Sequence, residues 1–313
     1  MTMLCCNYFR IFADIFQDQE MRIDILKIAL LACTTLFMAC RGEHTKSKTE
    51  LMVSIAPLKY VVEQITEGDF QVGVLVPAGA SPETFDPTPR QIAQANDATL
   101  LFTTGLIEFE QNIVERLSNK SNIVALSNGI DLIEGGHHHH EEHAHENNGH
   151  SHHHGVDPHI WVSPKELKVV ARNAYEAISK QYPDSVKYTE AYTRFDKELD
   201  SLDAMCRQLC NDSATTAFVV YHPALTYFAR AYALEQISIE ADGKEPSAKH
   251  IAEIIDAARE KGVKCLLYQV QYPRSVVDVI ARDMGVEPRE FDPLKENVVE
   301  SITEITHLIT GTN

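Results

Sequence analysis

Positive charge is scarce in this sequence of 313 residues: 28 lysines and arginines stand against 45 aspartates and glutamates, for a net charge of −17. That balance argues against nucleic acid as a partner, because phosphate binding needs a basic surface. Paired cysteines are missing too. There are seven cysteines but no Cys-x-x-Cys spacing, which removes a thiolate zinc site and a thioredoxin-like motif from consideration. No His-Glu-x-x-His helix and no Gly-x-Ser-x-Gly elbow occurs, so neither of these hydrolase signatures is present. What remains, 44% hydrophobic and 23% charged residues, is the composition of an ordinary globular protein, with a length that suits two medium domains.

The amino terminus does not read as part of that fold. Met21-Arg22 opens a short basic stretch that includes Lys27, and the apolar run Ile28 to Ala39 follows with twelve residues. A helix that spans a bilayer needs about twenty, whereas a signal-peptide core needs about this many. The run ends Leu36-Phe37-Met38-Ala39-Cys40, a small residue directly before a cysteine. This resembles a bacterial lipoprotein signal, which implies that Cys40 is acylated and that the protein is exported and tethered by lipid, facing the periplasm or cell exterior. An ordinary signal peptide or a short membrane anchor are the alternatives. Residues 1–40 are set aside as leader, with 1–20 a candidate mis-assigned start and His44 in the tether. Processing leaves Cys40, Cys206, Cys210 and Cys265. Cys206 and Cys210, four apart on a helix, suit packing better than metal, and the pattern assigns no disulfide to Cys265.

From Leu51 short β-rich runs alternate with amphipathic segments. The runs are Leu51–Ala56, Gln71–Val76, Ala98–Thr103 and Asn122–Leu126; the segments are Leu58–Ile65, Pro89–Ala95 and Ile107–Leu117. A second series has strands at Ala217–Tyr221, Gln236–Glu240, Val263–Gln269 and just before Asp292, with helices at Ala224–Ala233, Ser247–Lys261, Ser275–Met284 and Val298–Ile309. Strand–helix alternation predicts α/β architecture with parallel-type sheets covered by helices, here as two lobes. Between them Tyr188, Tyr192, Phe195, Leu199, Leu202, Cys206 and Leu209 recur at spacings of four and three, which predicts one amphipathic helix from Asp184 to Leu209. At about 1.5 Å per residue it reaches roughly 40 Å, enough for a stiff strut. The expected domains are an amino-terminal lobe at 50–183 containing a histidine-rich loop at 137–154, a linker helix at 184–211, and a carboxy-terminal lobe at 212–313.

Residues 137–154 hold ten of the fifteen histidines: His137, His138, His139, His140, His143, His145, His150, His152, His153 and His154. The tract offers nothing that could build an apolar core, so it reads as a loop. Neutral imidazole suits zinc, copper and nickel, and the interspersed Glu141, Glu142 and Glu146 add oxygen ligands. Its internal position and broken composition are unlike a purification tag. A tract without fixed geometry binds several ions with modest selectivity, which fits a metal store as well as a transporter.

Four short motifs lie where strands end, the place at which open α/β sheets bind ligands. They are Gly79-Ala80-Ser81-Pro82-Glu83-Thr84-Phe85-Asp86-Pro87-Thr88-Pro89, Asp157-Pro158-His159-Ile160-Trp161-Val162-Ser163-Pro164, Tyr221-His222-Pro223-Ala224 and Phe291-Asp292-Pro293-Leu294. With Glu240-Ala241-Asp242-Gly243-Lys244-Glu245-Pro246-Ser247 and the histidine tract before the second motif, the set resembles the zinc- and manganese-binding solute receptors of ABC transporters, over about Leu51 to Leu308. The resemblance implies two α/β lobes joined by a rigid helix, with one metal in the cleft held by four protein ligands. Carried over by motif, the metal ligands are His159, His222 and Asp292, with Glu83 standing where that family normally has histidine. A carboxylate reaches zinc at about the imidazole distance, so Glu83 reads as a replacement ligand, or else a water completes the site. Trp161 reads as packing near the site, and His250 and His307 as surface positions on helices.

Two imidazoles and two carboxylates do not by themselves choose between Zn2+ and Mn2+, but the polyhistidine tract favours Zn2+. The expectation is therefore not an enzyme but an extracytoplasmic zinc receptor, monomeric, that hands its ion to the membrane permease of an ABC importer. A manganese receptor of the same family, a surface metal store and a zinc hydrolase with Glu83 as base are the alternatives.

Overall fold

The computed structural model describes residues 50–134, 155–183, 185–240, 246–272 and 274–312. The leader with Cys40, the tether with His44, the ten tract histidines, Asp184 and Ala241–Glu245 lie outside the described residues.

Two four-stranded sheets organise the chain, both entirely parallel. The first contains β1 (Leu51–Val53), β2 (Val72–Val74), β3 (Leu100–Thr103) and β4 (Ile123–Ala125) in the order β2-β1-β3-β4. The second contains β5 (Ala217–Val220), β6 (Glu235–Ser238), β7 (Leu266–Gln269) and β8 (Pro288–Phe291) in the order β6-β5-β7-β8. The two halves thus repeat one winding. β1, β3, β5 and β7 are buried at every position, which is why they read as unbroken apolar runs without alternation: helices cover both faces. Seven of the strands are one to three residues shorter than their runs in the sequence, because the runs include the turn residues that lead the chain into or out of the sheet.

The helices are α1 (Ala56–Thr66), α2 (Pro89–Asp97), α3 (Glu108–Arg116), α4 (Pro164–Gln181), α5 (Val186–Asp212), α6 (Thr226–Ala231), α7 (Ala248–Glu260), α8 (Arg274–Met284) and α9 (Val298–Thr310), with a 3₁₀ turn at Ile160–Val162. Periodicity locates all of them except α4, which the reading of the sequence above does not contain. Its signal was present: Leu167, Val170, Ala171, Ala174 and Ile178 are buried at helical spacing, and Pro164 occupies the first turn, where its missing N–H is harmless.

The long helix expected across the middle is α5, with 27 residues. Its buried stripe is Tyr188, Ala191, Phe195, Leu199, Leu202, Cys206 and Cys210; Tyr192 and Leu209 are half-buried, and Tyr192 stacks on Tyr175 at 4.4 Å. α5 packs against α1 and α4 of the first half and α9 of the second. One continuous apolar cluster therefore runs from Leu51 and Phe102 through Trp161, Phe195 and Leu199 to Phe218, Tyr227 and Ile302. The lobes share a core. Cys206, Cys210 and Cys265 are free thiols within it.

Candidate metal centre

Glu83 arrives on the irregular segment between β2 and α2. Gly79 turns the chain with φ near +80°, a conformation that costs glycine little. Phe85 then anchors the segment edge-on against Phe109, centroids 5.2 Å apart. Its exit is fixed by a capping box in which Thr88 accepts from the Gln91 amide and the Gln91 side chain accepts from the Thr88 amide. Glu83 itself keeps 38% of its side chain exposed, at the mouth of the cleft.

His159 is set by Asp157. One carboxylate oxygen of Asp157 accepts from the His159 backbone amide at 2.9 Å and lies 2.8 Å from its Nδ1. Both residues are buried. Burial alone pushes the Asp157 carboxyl up, but the His159 ring and amide outweigh it and hold the group below the usual carboxylate range. His222 leaves β5 at the point where the order of the second sheet reverses. Its Nδ1 lies 2.7 Å from Glu240 Oε2, and its backbone is gripped twice by Gln269, whose Nε2 donates to the His222 carbonyl at 2.7 Å and whose Oε1 accepts from its amide at 3.3 Å. Tyr272 stacks on the imidazole, 5.8 Å between centroids. Each histidine thus commits Nδ1 to a carboxylate, which fixes the tautomer and leaves Nε2 for another partner.

The ligating atoms of Glu83, His159 and His222 all lie within 4.8 Å of one another, and the imidazole centroids are 5.2 Å apart. His222 Nε2 sits 2.8 Å from Glu83 Oε1, yet it is buried without a hydrogen bond of acceptable geometry. A nitrogen lone pair and a carboxylate oxygen facing each other across this distance need a cation between them. In its absence a proton serves. Burial lowers the affinity of His222 for that proton, but Glu240 and Glu83 overcome it and raise the imidazole pKa to about 9. Burial likewise raises the Glu83 carboxyl, while His222 and His159 more than offset this and hold it below its ordinary value. The cleft around the three is lined by Ser81, Pro158, Trp161, Gln269, Gln271 and Leu294 among others.

Asp292 follows β8 directly but does not belong to the converging trio. Its Oδ1 accepts from the Leu294 amide at 2.9 Å and from Gln271 Nε2 at 3.3 Å. Gln271 lines the cleft, so the carboxylate stands one hydrogen bond away from it. Trp161 is buried at 5.2 Å from the His159 ring and donates through Nε1 to the Pro293 carbonyl at 2.7 Å, which ties the first half to the turn that holds Asp292. His250 and His307 lie on α7 and α9, away from the trio; His307 Nδ1 pairs with Thr312 at 2.8 Å. The reading of the sequence gave no role to Asp157, Glu240, Gln269 or Gln271. The glutamines carried little signal, since Gln269 is the last residue of β7 and Gln271 lies in the turn beyond it. Glu240, eighteen residues beyond His222, opens a stretch already singled out for its family resemblance, but nothing in that stretch pairs it with His222.

Comparison with known proteins bears on the family and the fold. The family model described as zinc-uptake complex component A, periplasmic (ZnuA), matches residues 51–307. The high-affinity zinc uptake system protein ZnuA of Bacillus subtilis (strain 168) is 30% identical over 279 residues, covering 85% of this chain and 87% of the relative. The zinc-binding protein AdcA of Streptococcus pyogenes is 30% identical over 286 residues; these make up 86% of this chain but only 56% of AdcA, so the chain spans about half of that relative. Among solved structures, a ZnuA 138–173 deletion mutant with zinc bound superposes with a TM-score of 0.74 at 29% identity, over 84% of this chain and 97% of that one. The periplasmic zinc-binding protein TroA of Treponema pallidum shares the fold, with a TM-score of 0.72 at 19% identity over 84% and 98% of the two chains.

Proposed function

The chain belongs to the periplasmic zinc-uptake component A family, and on that premise we propose that it captures Zn2+ outside the cytoplasmic membrane in the cleft and passes it to an ABC importer. The family is one of solute receptors rather than enzymes. The observation that carries the reading is the convergence of Glu83, His159 and His222 on one point, with His222 Nε2 buried there and facing Glu83 Oε1 without a hydrogen bond of acceptable geometry. With bonds of about 2.0 Å, two ligands of a tetrahedral zinc stand roughly 3.3 Å apart. The 2.8 Å between His222 Nε2 and Glu83 Oε1 opens to that value by a small rotation of the exposed carboxylate. Asp292 completes the set from its turn, exchanging its link to Gln271 for the ion. The histidine tract gathers further ions, and Cys40 carries the lipid that tethers the receptor, which works as a monomer.

Two carboxylates make manganese the competing cargo, since oxygen-rich sites accept it readily. The experiment is a zinc and manganese titration of the protein lacking residues 137–154, beside the same protein with His222→Ala. Tight, one-to-one zinc binding that the substitution abolishes is the expected result. Binding indifferent to His222 overturns the receptor reading in favour of a metal store, and preference for manganese overturns the choice of cargo.

A further inference from the structure

The short helix α6 of the second half holds the segment that carries His159 at both of its ends. Tyr227, buried completely, accepts a hydrogen bond from the Ile133 amide at 3.2 Å and donates one to the Asp157 carbonyl at 2.9 Å. Ile133 and Asp157 are themselves joined, the Asp157 amide donating to the Ile133 carbonyl at 2.9 Å, and Glu134 and Val156 form an antiparallel bridge beside them. The phenol hydroxyl therefore sits at a neck where the chain leaves for the histidine tract and returns from it. One turn along α6, Arg230 lies over the Tyr227 ring at 5.1 Å and donates to Glu166 Oε1 at 2.8 Å. The other oxygen of Glu166 accepts from the Ser163 hydroxyl, at the far end of the same segment. Arg230 also reaches Asp131 at 3.2 Å, just before the neck.

A phenylalanine would fill the apolar space around Tyr227 equally well. What the hydroxyl adds is the pair of backbone bonds, and a buried amide and carbonyl left without partners are expensive. The carbonyl it holds belongs to the residue whose carboxylate orients His159. The sequence of contacts is short and unbroken: Tyr227 hydroxyl to Asp157 carbonyl, Asp157 carboxylate to His159 Nδ1, and His159 into the cleft. A ligand contributed by one lobe is in this way aimed by a side chain of the other.

We propose that Tyr227 is a positioning residue for metal capture, setting the ring of His159 from across the lobe boundary through Asp157. The proposal rests on the reading of His159 as a ligand. Loss of partners that orient a ligating histidine weakens metal binding by about 10- to 100-fold, and one step removed the effect of Tyr227→Phe falls near the lower end.

The test uses the full chain with the ten tract histidines replaced by serine, so that the cleft alone is read. Zinc affinity is measured by competition with a chromophoric chelator, and ligand geometry by the visible absorption of the Co2+ form. In Tyr227→Phe the expected results are zinc affinity lowered about tenfold and a Co2+ spectrum shifted in position and intensity. Unchanged affinity overturns the proposal, and so does weaker binding with an unaltered Co2+ spectrum, which marks a loss of stability only. Amide exchange at Ile133, which touches no ligand, gives a second measurement that needs no substitution at Tyr227 and so survives a variant that fails to fold. Zinc is expected to slow that exchange, and an Ile133 amide indifferent to zinc overturns the coupling. Failure of the reading beneath is separable: there the parent protein binds zinc no better than its His222→Ala variant, before Tyr227 is touched.

Discussion

Replacing Glu240 with glutamine tests how the carboxylate behind His222 works, because it changes two terms of opposite sign. Glu240 lies 2.7 Å from His222 Nδ1 and is itself buried, so it both fixes the tautomer that presents Nε2 and strengthens the hold of His222 on a proton. With the imidazole pKa at about 9, zinc arriving at pH 7 must displace that proton, at a cost of about a hundredfold in apparent affinity, or about 2.7 kcal/mol. The wild-type affinity from this group alone therefore climbs about tenfold for each pH step up to about 9 and then levels off. In Glu240→Gln the imidazole loses the larger of its two carboxylate partners while Glu83 still holds its pKa up, so the value falls and the curve levels off earlier. Above pH 9 proton competition is absent from both proteins, and the variant binds about 10- to 100-fold more weakly because the ring is no longer oriented. At pH 7 the deficit shrinks, since the variant surrenders a smaller fraction of a proton than the wild type. Competition titrations from pH 6 to 9.5, with the tract histidines replaced by serine, read both limbs. Proton release measured in buffers of different ionisation enthalpy gives an independent count at pH 7. A wild-type affinity flat between pH 7 and 9, or a deficit in the variant that is the same at both, refutes the reasoning.

Metal-free protein has a related signature. His222 holds its proton more tightly folded than unfolded, so its contribution to stability is complete below about pH 6.5 and is lost as pH rises through about 9. The loss is on the order of 3 kcal/mol, and thermal melts across that range should show a falling midpoint that zinc or His222→Ala removes. Gln269→Leu leaves the His222 amide without its partner, while the carbonyl keeps the Ala224 amide at 2.7 Å, and should cost about 1–3 kcal/mol, with chemical denaturation as the check and an unchanged midpoint as the refutation. The single tryptophan, Trp161, lies 5.2 Å from the His159 ring. Its emission should change and saturate at one equivalent of zinc, and a silent titration would remove His159 from the site. Asp292→Ala should weaken zinc binding without changing the apo Glu83–His222 contact; unaltered affinity would leave a three-ligand centre.

Much of this was legible in the residues because each half repeats a simple rule. Buried parallel strands must be apolar throughout, and helices laid over them must carry one apolar stripe, so β1, β3, β5 and β7 and most helices announce themselves. The motifs with Glu83, His159 and His222 were visible because ligands of such sheets gather beyond strand ends. The partners of His222 were not. Glu240 and Gln269 reach His222 only once β5, β6 and β7 lie side by side, and adjacency across a sheet leaves no trace in local spacing. Asp292 shows the converse. A carboxylate placed before proline serves a turn as readily as an ion, and its Oδ1 accepts from the Leu294 amide whichever further role it takes.

The continuous core that α5 threads through both halves also bears on how the cargo leaves. Receptors with a free hinge release their ligand when the halves swing apart, and thermal motion supplies the opening. Here Phe195 and Leu199 pack in the same cluster as Phe102 and Phe218, so parting the halves means exposing the interior of the molecule. Escape of a tightly held ion is correspondingly slow when left to fluctuation. On the proposed function, unloading then becomes work done on the receptor by the importer, most economically at the small contacts that cross the cleft: Trp161 on the Pro293 carbonyl, Tyr227 on Asp157, and Lys59 on Glu296 at 2.8 Å. In such a design the timing of delivery is set by the membrane machine, and the receptor keeps what it has caught until asked.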